Sequence, residues 1–140
     1  MALSEYLLDQ LFIGNTLRKE GYRGRYAPSP TGPLHIGNLR TALLSWLRAR
    51  LSKGIWLLRI DDLDSQRNRQ GSVESIQNDL HWLGLNWDGP VIFQSHRRVL
   101  YSLIISKLRS ENKIYACRCS RKAIAEANES SNEILIYPGT

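Results

Sequence analysis

Arg25-Tyr26-Ala27-Pro28-Ser29-Pro30-Thr31-Gly32-Pro33-Leu34-His35-Ile36-Gly37-Asn38 is the stretch on which the fold turns. Arg25-Tyr26-Ala27 reads as a short strand. Pro28, Pro30 and Pro33 end regular ladder pairing, so the segment through Gly32 is a turn-rich loop. From Asn38 to Leu51 the pattern is helical, and it predicts Leu39, Leu43, Leu44, Leu47 and Leu51 on one face. Strand, rigid loop and helix in that order open a βα unit. In open α/β sheets, ligands bind where such loops leave the carboxyl ends of the strands.

The same alternation continues on both sides. Residues 3–20 read as a short helix, broken by Gly21 and Gly24. Lys53-Gly54 closes the leucine-rich helix, with glycine expected in the left-handed position after its end. Ile55-Trp56-Leu57-Leu58-Arg59-Ile60 is an almost continuous apolar run, the pattern of a buried strand in a parallel sheet. Ser72 to Leu83 is the next helix, with Ser72 as its cap. A loop follows, then a short strand Val91-Ile92-Phe93, a helix from Arg97 to Ser110 and a short strand Ile114-Tyr115-Ala116. Asn128 to Glu133 is polar and reads as a loop. The expected class is α/β with a mostly parallel sheet and no internal repeat.

The 140 residues are 42% hydrophobic and 23% charged, which suits one domain with a sizeable core and excludes disorder throughout. No apolar run approaches the ~20 residues of a membrane span. The start of the chain lacks the basic-then-apolar order of a secretory signal, so a cytoplasmic protein is expected. The formal net charge of +6 fits a polyanionic partner, and fits equally a basic surface with none.

Each candidate residue has a structural reading beside its chemical one. A helix beginning near Gly37 offers backbone N–H groups to phosphate, and Gly37 lets a flat base lie close. His35 can donate to a phosphate oxygen as charge builds up; the alternative is a tight turn with a surface histidine. Arg25 can pair bidentately with a carboxylate, and Ser29 can add a hydroxyl. Asp61, Asp62 and Asp64 place three carboxylates after a strand, suited to Mg²⁺ or an amine, or simply a solvated turn. Trp87 reads as loop packing, Ser95 as a helix cap, and Arg97 and Arg98 as solvated cations or phosphate contacts. Cys117 and Cys119, the only two cysteines, are poorly placed to bridge each other. Zinc binding and reduced thiols are both open for them.

Together these strings resemble a known family. His35-Ile36-Gly37-Asn38 resembles the His-Ile-Gly-His signature of class I aminoacyl-tRNA synthetases, with asparagine at the fourth place. Arg25 to Gly32 resembles the opening of the glutamyl-type members. Arg59-Ile60-Asp61-Asp62-Leu63-Asp64 is similar to their Arg-Ile-Glu-Asp-x-Asp, with Asp61 one methylene shorter than the usual glutamate. Trp87-Asp88-Gly89 and Gln94-Ser95-His96-Arg97 are similar as well. The resemblance covers residues 22–140 and implies a Rossmann-like nucleotide-binding domain. It implies that Arg25, Tyr26, Ala27, Pro28, Ser29 and Asp61 cradle L-glutamate, with Asp61 on the amino group. It implies that His35, Ile36, Gly37 and Asn38 face ATP and its Mg²⁺, with His35, Gly37 and Asn38 catalytic.

Within this family, glutamyl-queuosine tRNA(Asp) synthetases carry Cys-x-Cys, then a tyrosine, then a cysteine four places later as zinc ligands. Cys117-Arg118-Cys119 and Tyr137-Pro138-Gly139-Thr140 are similar to that pattern. The resemblance therefore implies a zinc site with Cys117, Cys119 and Tyr137, incomplete in this chain. The implied division is an N-terminal extension with a short helix (1–21), the first half of a Rossmann-like catalytic domain (22–113) and the start of a zinc-binding insertion (114–140). The family's Lys-Met-Ser-Lys-Ser loop is absent from the sequence, so the 140 residues are expected to be incomplete and to have little or no activity alone. The implied reaction is ATP-dependent activation of glutamate and its transfer to the queuosine base of tRNA(Asp), by an enzyme that is monomeric when complete. The alternatives are an ordinary glutamate–tRNA ligase, which in the family needs tRNA to activate glutamate, and a non-catalytic nucleotide- or RNA-binding relic.

Overall fold

Side chains alternate across a strand, and this alternation divides β2 (Ile55–Ile60) between two environments. The computed structural model describes residues 4–127. In it Trp56, Leu58 and Ile60 are fully buried on one face of β2, while Ile55, Leu57 and Arg59 are partly covered on the other. β2 is the middle strand of a parallel sheet ordered β1-β2-β3, flanked by β1 (Arg23–Tyr26) and β3 (Ile92–Phe93). Arg25 pairs with Leu57, Tyr26 with Leu58, and Arg59 with Ile92. The helices are, in chain order, α1 (Glu5–Lys19), α2 (Ile36–Leu51), α3 (Ser72–Trp82), α4 (Arg98–Ser110) and α5 (Arg121–Ala127). A 3-10 turn over Gln94–Arg97 leads into α4.

The chain divides into two compact units between Leu103 and Ile104. In the first, Tyr26, Trp56, Leu58 and Ile60 of the sheet pack with Ala42 and Ala49 of α2 and with Ile76 and Leu80 of α3. The Tyr26 and Trp56 rings stack with centroids 6.1 Å apart. In the second, Lys107 and Lys113 both pair with Glu111, at 2.6 and 2.7 Å, and the Ser120 hydroxyl accepts the Ala123 N–H at 3.1 Å to cap α5.

Four expectations are corrected. The buried face of α2 is not its leucine face: Ala42 and Ala49 are fully buried, whereas Leu43, Leu44 and Leu47 are exposed and Leu51 is 84% exposed. The cause lies on the sheet. A Cβ added at Gly24 would stand 3.1 Å from the Trp56 ring and 3.2 Å from the Ala49 Cβ, so helix and sheet approach too closely for leucine. The Trp56 indole N–H donates to Ser45 at 2.9 Å across the same contact. After α2, Lys53 rather than Gly54 takes the left-handed backbone, with φ 50°. Gly54 is needed for another reason, since a Cβ there would overlap the Tyr22 carbonyl that accepts the Ile55 N–H at 3.1 Å. The residue before α3 is Gly71 at φ 76°, and Ser72 is buried in the first turn. Finally, Ile114-Tyr115-Ala116 forms no strand, and its own unit holds no other strand among the described residues to pair with it. The expected loop at Asn128–Glu133 lies outside the described residues, as does Tyr137.

Candidate active site

The loop after β1 is fixed through its carbonyls. Proline cannot donate, but its carbonyl accepts. Pro28 takes the Asp61 N–H and Pro30 the Arg69 N–H, both at 2.9 Å, which ties this loop to the segment leaving β2. A cleft of about 490 Å³, open to solvent on one side, lies along this loop. Tyr26, Ala27, Pro28, Ser29, His35 and Asn38 line it together, and Thr41 and Arg67 complete the wall. Arg25, Ile36, Gly37 and Asp61 lie outside that lining. Arg25 is exposed at the end of β1, and Ile36 is 81% exposed.

His35 is the N-cap of α2. Its Nδ1 accepts the Gly37 N–H at 3.0 Å, and the Asn38 side-chain oxygen accepts the His35 N–H at 3.4 Å. This reciprocal cap satisfies amides that a helix start leaves unpaired. Because Nδ1 accepts, the neutral ring carries its proton on Nε2, which makes Nε2–H the donor. A Cβ at Gly37 would come 2.9 Å from the His35 ring, so glycine here makes room for the histidine's own cap. Asn38 thus has a positional task that its amide performs without charge.

The three carboxylates after β2 do not converge. Asp62 accepts the Ser95 N–H at 2.8 Å and the Ser95 hydroxyl at 2.5 Å. Partial burial opposes its charge, but the two Ser95 bonds prevail and hold its pKa below the ordinary carboxylate value. Ser95 is therefore a donor to Asp62, a correction to its reading as a helix cap. Asp64 pairs with exposed Arg67 at 2.6 Å. Among the described residues no group of three His, Cys, Asp or Glu is placed to hold a metal ion, so the three carboxylates do not form an all-protein cation site. Trp87 packs as expected, stacked on His81 at 4.5 Å. Asp88 binds Arg50 at 2.6 Å and the Trp56 N–H at 2.7 Å, and the Arg50 bond leads in lowering its pKa. Cys117 and Cys119 are exposed.

Two buried polar groups stand out. The Tyr26 hydroxyl is buried without a hydrogen-bond partner among the described residues, and burial pushes its pKa up to about 12. Arg59 Nε is buried and likewise unpartnered. Its charge is opposed first by burial and next by Arg25, with Arg97 adding to the repulsion, while Tyr101 and Asp61 favour it. Sequence reasoning gave no role to Arg59 or Thr41. Strand parity was the available signal for Arg59, which stands two residues beyond Leu57 and so shares its face.

The family described as tRNA synthetases class I (E and Q), catalytic domain, matches residues 22–136. A protein of Prochlorococcus marinus named glutamyl-Q tRNA(Asp) synthetase is 61% identical over 139 residues, covering 99% of this chain and 45% of its own length. One of the same name from Nocardia farcinica is 50% identical over 121 residues, 86% of this chain and 38% of its own. The crystal structure of a glutamate tRNA ligase from Elizabethkingia meningosepticum, in complex with its amino acid, superposes with a TM-score of 0.64 at 36% identity. That match covers 77% of this chain and 23% of the other. The chain thus spans less than half the length of the relatives it matches. The βα unit, the capped histidine and the family match agree, and the chain belongs to the class I tRNA synthetases of the E and Q type, within their catalytic domain.

Proposed function

We propose that the protein activates glutamate with ATP and transfers it to the queuosine base of tRNA(Asp). The observation that carries this reading is the cavity beside the carboxyl end of β1, where the proline-rich loop meets the capped start of α2. ATP belongs at that helix start, where backbone N–H groups and the dipole favour phosphate and His35 Nε2–H is a donor. Mg²⁺ arrives with the ATP phosphates. Glutamate belongs with Arg25, Tyr26, Ala27, Pro28, Ser29 and Asp61, its amino group at Asp61. An oxygen of its α-carboxylate attacks the α-phosphorus and pyrophosphate leaves, giving the adenylate. A hydroxyl of the queuosine base then attacks the adenylate's carbonyl carbon, loses its proton, and AMP departs. The relatives' shared name supports the modified base as acceptor.

We also propose the division made from sequence, with residues 22–113 in the catalytic fold and residues 114–140 in an insertion. The described residues do not fit a zinc site by themselves. Cys117 and Cys119 supply two donors where a structural site wants four, and Tyr137 lies outside the described residues.

The test is glutamate-dependent ATP–pyrophosphate exchange by the full-length protein, with and without tRNA. Exchange without tRNA, followed by glutamyl transfer to queuosine-bearing tRNA(Asp), is the expected result. Exchange only with tRNA would assign an ordinary glutamate–tRNA ligase instead, and ATP binding with no exchange would assign a non-catalytic role.

A further inference from the structure

Arg25 and Arg59 rise from the same face of the sheet. Arg25 pairs with Leu57 across the β1–β2 ladder, and paired residues of parallel strands share a face. Arg59 is two residues beyond Leu57 and so shares it too. The opposite face holds Tyr26, Trp56, Leu58 and Ile60 in the core. Arg97 follows β3 and belongs to the same group, its guanidinium 5.6 Å from the Tyr101 ring and 3.1 Å from the Gln94 side-chain oxygen. Three guanidiniums thus gather at the carboxyl end of three parallel strands, with Asp61 the carboxylate acting on Arg59. Guanidiniums only donate, and Arg59 Nε is buried with no acceptor among the described residues. Asp61 offsets only part of this positive charge and leaves the Arg59 Nε donor unused, so the cluster has room for a further carboxylate.

We propose that Arg59 is a further substrate-binding residue, sharing the side-chain carboxylate of the amino-acid substrate with Arg25 and so requiring a negative charge there. This inference rests on the reading of the loop after β1 as a glutamate site. Two guanidiniums can each give N–H bonds to a carboxylate, whose two oxygens accept about four. The side-chain amide of glutamine offers one oxygen and turns an NH₂ donor toward donors. Charge and donor pattern therefore both select glutamate, and Arg59 adds a specificity that Arg25, exposed to water, supplies less strongly. A purely structural Arg59 would affect folding and leave the discrimination between the two amino acids alone.

The experiment is calorimetric titration of the full-length protein and its Arg59→Gln and Arg59→Lys variants with glutamate and with glutamine. In Arg59→Gln the glutamate Kd is expected to rise about tenfold or more, and the glutamine Kd to change less than about threefold. Arg59→Lys, which keeps the charge and loses the fork, should fall between. Wild-type glutamate binding with an unchanged glutamate-to-glutamine ratio in the variants overturns the role of Arg59 and leaves the glutamate site standing. Absence of glutamate binding in the wild type overturns both. If Arg59→Gln does not fold, Arg59→Lys decides alone, a fallen ratio supporting the proposal and an unchanged one sinking it.

Discussion

The loop after β1 and the segment after β2 leave the carboxyl ends of neighbouring parallel strands, yet they use their polar atoms in opposite ways. After β2, Asp62 is engaged by the Ser95 amide and hydroxyl and Asp64 by Arg67. After β1, the proline carbonyls are taken by backbone N–H groups from that second segment, while Ser29, His35 and Asn38 border a cavity. The acidic segment behaves as a brace, and the proline-rich loop as the wall it holds in place. Charge density therefore misleads about where ligands go. In the sequence the three carboxylates suit Mg²⁺, an amine or a solvated turn, and it is Asp62 that serves the fold.

That contrast is most exposed at Asp62. Asp62→Ala leaves both Ser95 donors without their acceptor and is expected to cost about 2–3 kcal/mol of stability. ATP affinity of the molecules that remain folded should hardly change. Thermal unfolding beside nucleotide titration reads both quantities. A variant with wild-type stability and lost ATP binding would reverse the assignment of brace and wall.

His35→Ala probes the other side. Loss of the N-cap is expected to cost about 1 kcal/mol. The same change removes the Nε2 donor, and adenylate formation should slow by about a hundredfold, the scale of losing one preorganised donor at a developing charge. Pyrophosphate exchange under conditions where the variant is folded separates the two effects. If activity falls only in proportion to the folded fraction, His35 is a cap and nothing more.

Much of this was legible in the sequence because local rules decided it. The apolar run at Ile55–Ile60, the prolines after Tyr26 and the helical period from Asn38 each pointed to one element, and those elements formed. What failed depended on distant neighbours. The leucine stripe of α2 was a sound amphipathic reading, but the burial of Trp56 on the sheet reserved the contact for Ala42 and Ala49. Gly54 reads in the sequence as the left-handed residue after α2, whereas what requires glycine there is the Tyr22 carbonyl, 32 positions back in the chain. Of the residues bordering the cavity, Tyr26, Ala27, Pro28, Ser29, His35 and Asn38 lie in the string read from the sequence and Thr41 and Arg67 do not, while Arg59 has no signal in the string because its significance comes from Arg25 and Arg97 on other elements. A strand-internal arginine in an apolar run is a signal only once the register is known.

Acid titration sharpens the comparison by its smallest effect. Asp88 is a second carboxylate with a structural task, held by Arg50 and by the Trp56 N–H, and like Asp62 it has a folded-state pKa below the ordinary value of 3.8. A depressed folded pKa means that the unfolded chain takes up protons first. The contribution of such a group is fully present above its unfolded pKa and is lost as pH falls through the lowered folded value. Stability should therefore decline below about pH 4, and Asp88→Asn should flatten that decline while leaving the protein less stable at neutral pH. Asp64→Asn serves as the contrast. Its pKa is lowered chiefly by the hydrogen bond from Arg67, but both side chains are exposed, and solvent and salt screen such pairs. Unfolding temperatures measured from pH 2.5 to 7 should show a shallower acid limb for Asp88→Asn and one indistinguishable from wild type for Asp64→Asn. An equal flattening in both would mean that the exposed pair braces the fold as strongly as the half-buried one, and position beside the strand rather than burial would then decide which carboxylates matter.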